Sequence, residues 1–222
     1  MTDEHQHSHG THGSGGGDGL PDPDRGGHTD RQALWDERYA AKEHVWSATP
    51  NAEVERIVGD WTPGRALDLG AGEGRHAVWL AAKGWRVTAV DFSSVGLAKG
   101  EKEASARGIR VDWVVADARS WHPAPQHLYD LVLVSYLHLP SDVISRTRSW
   151  LAPGGALVVV GHGLRNLTEG VGGPSDPALL HSPEQLREAA GDLIIERCEE
   201  YIRPTGDGDA IDVVLVARRP PG

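Results

Sequence analysis

The run Leu67-Asp68-Leu69-Gly70-Ala71-Gly72-Glu73-Gly74-Arg75 constrains this chain more than any other stretch. Three glycines alternate directly after an apolar run and directly before the helical pattern His76-Ala77-Val78-Trp79-Leu80-Ala81-Ala82-Lys83. A strand that turns into a helix through glycines leaves bare backbone for a ligand to lie against, where any Cβ would collide with it. The next apolar run, Val87-Thr88-Ala89-Val90, ends in Asp91. An acid at the end of a second strand can accept hydrogen bonds from both hydroxyls of a ribose. Together the two features predict a nucleoside-containing cofactor. A tight strand-to-helix turn also needs glycine when no ligand is present, so the triplet alone does not decide.

Glycine spacing narrows the cofactor. The dinucleotide fingerprint G-x-G-x-x-G would begin at Gly70 and Gly72 and need its third glycine at position 75. Arg75 stands there, and the third glycine falls one residue early, at Gly74.

Strands and helices alternate through the rest of the chain. A first helix is expected from an N-cap at Thr29-Asp30, carrying Leu34, Trp35, Arg38 and Tyr39 at helical spacing, and a second from about Asn51 to Gly59. Strands are expected at Arg65–Leu69, Arg86–Val90, Val111–Val115, Asp130–Ser135 and Ala156–Val160. Helices are expected at Arg75–Lys83, Ser94–Arg107, Asp142–Trp150 and Pro183–Ala190, the last capped by Ser182 and the third stopped by Pro153-Gly154-Gly155. Near-continuous apolar strands are those of a parallel sheet covered on both faces, a three-layer, doubly wound α/β domain. Ile194–Ile202 and Ala210–Ala217, separated by Pro204-Thr205-Gly206-Asp207-Gly208, predict a closing antiparallel hairpin.

Composition sets the outer limits. The net charge of −10, with no Lys/Arg-rich patch, argues against a nucleic-acid partner bound by phosphate neutralisation. A single cysteine, Cys198, allows neither an internal disulfide nor a cysteine-based zinc cluster. No apolar run approaches the ~18 residues of a membrane span, and the start of the chain lacks the basic-then-apolar layout of a signal peptide. A cytoplasmic protein is expected. Residues 1–28, rich in Gly, His and Asp, read as a disordered tail, which leaves the folded domain at 29–222. His5, His7, His9 and His12 lie in that tail, but a tail offers no fixed geometry, so no metal site is assigned.

The turn at Gly70, Gly72 and Gly74, with Asp68 two residues before it, resembles motif I of the class I S-adenosylmethionine (SAM)-dependent methyltransferases. Further stations follow in family order: Asp91-Phe92, Asp117-Ala118, Ser135-Tyr136-Leu137-His138 and Leu151-Ala152-Pro153-Gly154-Gly155. The resemblance implies a seven-stranded, mostly parallel sheet whose seventh strand inserts antiparallel between the fifth and sixth. It implies that the glycine turn supports the methionine portion of SAM, that Asp68 approaches the amino group and Asp91 the ribose. Phe92 would lie against the adenine, Asp117 and Ala118 would meet its polar edge, and Ser135 would stand beside the methyl group. Asp68 can instead orient the loop, Phe92 can be core, and Asp117 can cap a turn.

No side chain is singled out as the catalyst. His138 and His162 are placed where a general base would stand, should the acceptor be protonated at neutral pH. Tyr39, Trp46, Tyr136, His138 and Arg165 are candidates for contacting a small-molecule acceptor, and the loop from Gly163 to Ser182 for a lid. The N/D-P-P-Y type motif with which such enzymes methylate exocyclic amines of bases or glutamine is absent after strand four, where Ser135-Tyr136-Leu137-His138 stands, so that substrate class is not expected. The segment Trp35…Tyr39…Trp46 resembles the small tellurite-resistance and thiopurine-type branch. Two other readings stay open: a nicotinamide-dependent oxidoreductase, against which Arg75 counts, and a SAM-binding sensor that transfers nothing.

Overall fold

Seven runs rich in aliphatic residues join into one sheet in the computed structural model, which describes residues 28–222 and side chains from residue 31 onward. The segment read as a tail, with its candidate chelating histidines, lies outside the described residues but for His28. The strands are β1 (Arg65–Leu69), β2 (Arg86–Asp91), β3 (Asp112–Val115), β4 (Tyr129–Ser135), β5 (Leu151–His162), β6 (Ile194–Thr205) and β7 (Gly208–Arg218). The helices are α1 (His28–Ala41), α2 (Ala52–Val58), α3 (Arg75–Ala82), α4 (Ser94–Ala106), α5 (Ser141–Thr147), α6 (Asn166–Glu169) and α7 (Pro183–Ala190). The sheet order is β3-β2-β1-β4-β5-β7-β6. β7 runs antiparallel to both of its neighbours, and the pairs among β1 to β5 are parallel. This is the doubly wound sheet with a closing hairpin that the sequence leads one to expect.

Period-two alternation assigns the two faces of the sheet. Leu67, Leu69, Val132 and Val134 join Val143 and Ile144 of α5 and Leu186 of α7 in one core. Ala66, Leu131 and Leu133, of the opposite parity, join Val54 of α2, Leu80 of α3 and Leu97 of α4 in the other. Because β4 is apolar on both faces, each of its leucines and valines is fully or nearly fully buried. Burying each such side chain contributes about 1.5–3 kcal/mol. The cap at Asn51 accepts from the Glu53 and Val54 amides at 2.9 and 3.3 Å, and Ser182 with Gln185 forms a capping box on α7.

Most boundaries fall within a residue or two of expectation, and four differences have physical reasons. α1 begins at His28, one residue before the expected cap, within the fraying of any helix end. Pro153-Gly154-Gly155 is not a turn ahead of β5 but an irregularity inside it. Gly154 N donates to Arg219 O at 3.1 Å and Arg219 N to Gly155 O at 2.9 Å, which keeps the segment paired, while the register with β4 shifts after Tyr129. The last helix turn before it, Arg148–Trp150, is 3-10. The closing hairpin is tighter than its glycine-rich stretch suggested: pairing continues to Thr205 and Gly208, so only Gly206 and Asp207 form the loop.

Candidate functional site

A turn of three left-handed glycines follows β1, and its first two, Gly70 and Gly72, line the floor of a cleft at the ends of β1 and β2. Gly70, Gly72 and Gly74 have φ of +78°, +56° and +74°, a region L side chains rarely adopt. Val90 O pins the turn by accepting from Gly70 N at 2.8 Å and Ala71 N at 3.0 Å. At Gly72 a Cβ would come within 2.7 Å of Tyr39 Oη, on the cleft side, whereas at Gly74 it would meet the Trp113 ring at 2.6 Å, in the core. Gly72 thus serves the site and Gly74 serves packing.

Two carboxylates stand beside the turn. Asp91 Oδ2 accepts from Gly72 N at 2.8 Å and Oδ1 from Ser93 N at 2.8 Å. Burial pushes its carboxyl above the ordinary range against the pull of those two amides. Each oxygen keeps a second lone pair for a ligand. Asp68, 1% exposed, lies just beneath the cleft lining. Burial lifts its carboxyl to about 7, opposed by the Ala77 amide and the Arg75 charge. Its Oδ2 has no hydrogen-bond partner, so the residue orients α3 and retains an unused acceptor.

α1 and the segment joining it to α2 form the roof. Arg31, Trp35, Tyr39 and Trp46 all line the cleft. The Trp35 ring stands 5.4 Å from Tyr39 and 6.2 Å from Trp46, and Trp46 Nε1 donates to Tyr39 Oη at 3.5 Å. Burial, before the charge of Asp91, raises the Tyr39 phenol far above its usual range. The roof is fastened at two places. Glu73 accepts from Val45 N and Trp46 N at 3.0 Å and pairs with Lys99 Nζ at 2.9 Å. Gln32 Nε2 donates to Phe92 O at 3.0 Å, and Ser93 Oγ to Asp36 Oδ1 at 2.5 Å. Arg75 and His76 close the near corner. His76 Nε2 accepts from Asn51 N at 3.1 Å, and burial drives its imidazole down to about 3, so it is neutral.

The far wall is the segment after β4. Ser135, Tyr136, Leu137 and His138 line the cleft; Ser135 is 8% exposed, and its Oγ has no partner. Tyr136 sits at φ +51°, a left-handed conformation unusual for a bulky residue and over-determined here by its bonds. Its Oη donates to Asp212 Oδ2 at 2.5 Å and accepts from Asn51 Nδ2 at 3.3 Å. Asp212, fully buried on β7, also accepts from Arg203 Nε at 2.5 Å and lies 3.2 Å from His162 Nδ1. Burial pushes that carboxyl up, but the nearby His162 imidazole and the bonds from Arg203 and Tyr136 outweigh it and hold it below the usual range. The imidazoles of His162 and His138 stack at 5.9 Å, which links this network to the cleft.

The structure therefore brings Gly70, Gly72, Asp91, Phe92, Ser135, Tyr39, Trp46, Tyr136 and His138 to one cleft. It does not bring the others there. Asp117 is engaged by Arg119, whose N and Nε donate to it at 2.9 and 3.3 Å, and with Ala118 it lies outside the lining. His162 stands behind His138. Arg165 points to Glu169 and Glu200 at 2.5 and 2.8 Å on the exposed surface. The expected lid from Gly163 to Ser182 is no loose loop. It holds α6, a 3-10 turn at Pro177–Leu179 and a buried Asn166 whose Oδ1 accepts from Ile211 N at 2.7 Å, and none of its residues lines the cleft.

Several participants escaped the sequence reading. Arg75 registered only as a missing glycine, and Arg31, Glu73 and His76 as ordinary helix or turn residues. Asp212 did leave a signal: a lone acid inside Ala210–Ala217, otherwise wholly apolar. Among the described residues no group of His, Cys, Asp and Glu could hold a metal ion, and no helix is long and apolar enough to cross a membrane.

Comparison with known proteins gives the following. The family described as "Methyltransferase domain" matches residues 66–155, the stretch from β1 into β5. A trans-aconitate 2-methyltransferase of Streptomyces avermitilis is 40% identical over 134 residues, 55% of this chain and 49% of that protein. The chain thus spans about half the length of this curated relative. Among solved structures, TehB from Haemophilus influenzae superposes with a TM-score of 0.66 at 17% identity, over 85% of this chain and 66% of that one. The N-methyltransferase NodS from Bradyrhizobium japonicum, in complex with S-adenosyl-L-homocysteine (SAH), gives 0.62 at 21% identity, over 85% and 98%.

Proposed function

We infer the reaction from the family, since the chain belongs to the class I SAM-dependent methyltransferases and SAM is its cofactor, and we propose that it methylates a small molecule. The observation that carries the cofactor's placement is the turn at Gly72, whose amide is held by Asp91 and which lines the cleft packed so closely under Tyr39 Oη that no Cβ fits. The surrounding residues fit the group. Asp91 offers lone pairs to ribose hydroxyls, Phe92 an apolar face to the adenine, and Gly70 and Gly72 a bare backbone to the methionine end. Trp35, Tyr39 and Trp46 supply ring faces that favour a cationic ligand. Asp91 and Phe92 carry the nucleoside end in this reading, because Asp117 is taken up by Arg119.

When bound, the cofactor supplies an electrophilic methyl group on a sulfonium whose departure is easy. What the chain must add is position and exclusion of water. The roof fastened by Glu73 covers the cleft, and Ser135 to His138 form the wall beside the glycine turn, with Leu137 packed against Gly70, where an acceptor would lie. His138, on that wall with His162 stacked behind it, is placed to take a proton from an acceptor that carries one. A small acceptor suits a cleft roofed by a helix and a chain with a net charge of −10.

Calorimetry with SAH and NADH, followed by transfer of radiolabelled methyl from SAM to a cell extract separated into small molecules and nucleic acids, tests the reading. SAH binding without NADH binding, with label in the small-molecule fraction, is expected. NADH binding alone would return the oxidoreductase; label in nucleic acid would replace the acceptor class. SAH binding with no labelled product would make the protein a sensor.

A further inference from the structure

Most arginines among the described residues are visibly employed. Arg165 pairs with Glu169 and Glu200, Arg197 with Glu53 and Glu199, Arg203 with Asp212, and Arg218 with Glu196. Arg75 is different. It opens α3 one residue after the glycine turn and lines the cleft. Its hydrogen bond is to Ser47 Oγ at 3.2 Å, and no carboxylate among the described residues lies within ion-pair distance. The guanidinium carbon stands 5.9 Å from the centre of the Trp46 ring, within cation–π range.

We propose that Arg75 holds the α-carboxylate at the amino-acid end of the cofactor, through a two-pronged pair made by the donors that Ser47 leaves free. Resting on the SAM reading above, the proposal adds which residue reads the charged end of the ligand. A guanidinium has five N–H donors in a planar fork that matches a carboxylate, and burying that charge without a counter-ion is costly. Removal from water pushes the Arg75 guanidinium below its ordinary range, as expected of a cation that lacks its partner. A second observation points to the same ligand. Asp68, electrostatically coupled to Arg75 and buried beneath the lining, keeps an Oδ2 with no partner. A guanidinium without an acid partner and a carboxyl with a free acceptor are the complement of a zwitterion, whose carboxylate would pair with the first and whose ammonium would draw the proton off the second. An acceptor with a lone carboxylate would account for Arg75 and leave Asp68 unexplained.

Two nucleosides separate the charged end from the rest. SAH carries the amino-acid group; 5′-deoxy-5′-methylthioadenosine keeps the adenosine and the thioether and lacks it. Calorimetric titration of each into the wild type, Arg75→Gln and Arg75→Lys forms the test. Arg75→Gln should weaken SAH by about tenfold or more, the size of one charge-assisted pair, and leave methylthioadenosine within about twofold. Arg75→Lys, keeping the charge and losing the fork, should fall between. Unchanged methylthioadenosine binding also certifies that each variant is folded. Unchanged SAH affinity in Arg75→Gln, or an equal loss for both nucleosides, overturns the proposal while the SAM reading stands. A wild type that binds neither nucleoside removes both.

Discussion

The two walls of the cleft are built by opposite means. On the cofactor side the decisive bonds are short-range in sequence and involve backbone: Asp91 reaches Gly72, 19 residues away, and Ser93, 2 away. On the side formed by the segment after β4 they run between side chains from distant parts of the chain, Tyr136 to Asp212 across 76 residues and Asn51 to Tyr136 across 85. The first wall is written in backbone conformation, which glycine and a strand-end acid announce. The second is a folded-state network, assembled only when β7 slides in beside β5. One wall suits a cofactor shared by a whole family; the other is free to differ between members of one fold.

Removing the centre of the network should do the greatest damage. Asp212→Ala leaves Arg203 and Tyr136 without their buried acceptor, and a loss of about 3–5 kcal/mol in urea unfolding is expected. Asp212→Asn should recover part of it. A loss no greater than that of Asp91→Ala would erase the contrast between the walls. Gly74→Ala comes next. It forces a side chain into φ +74° and against Trp113, at about 2–4 kcal/mol from the two penalties together. Since Gly74 faces the core, its variant should lose stability while whatever remains folded still binds SAH.

This division explains what could be read in advance. The strands, the hairpin and the glycine turn followed from apolar runs and glycine spacing, because periodicity and left-handed turns are local properties, whereas the place of β7 between β5 and β6 was implied only by the family resemblance. Arg165 and the segment around it could not be placed, since only the fold shows that Asn166 ties that segment to Ile211 and turns Arg165 outward. Asp117 went to its own turn through Arg119, a competition between neighbours that motif order does not register. Arg75 was seen as the absence of a glycine, and its chemistry emerged once its lack of an acid partner was visible.

Asp91→Ala sharpens the cofactor side. It should weaken SAH by about tenfold, about 1.4 kcal/mol, with the sheet intact by circular dichroism. An unchanged dissociation constant would move the ribose elsewhere.

The smallest effect expected is a near-cancellation with pH. Asp68 has a folded value of about 7 against 3.8 unfolded, so the folded state holds a proton the unfolded chain has released. Its contribution to stability is full below pH about 4 and is lost as pH rises through 7. His76 has a folded value of about 3 against 6.5 unfolded, so the unfolded chain binds the proton first. Its contribution is full above pH 6.5 and is lost as pH falls toward 3. Between pH 4 and 6.5 the two slopes oppose each other, and these two groups together add little net slope to the wild type. The single variants unmask them. The stability of the wild type relative to Asp68→Asn should fall as pH rises across that window, and relative to His76→Gln it should rise. Slopes of the same sign in the two comparisons would show that one of these groups is not held in the protonation state its burial dictates. SAH sharpens the test, because a ligand ammonium beside Asp68 favours the carboxylate. With SAH present, the Asp68 slope should shrink while that of His76 stays.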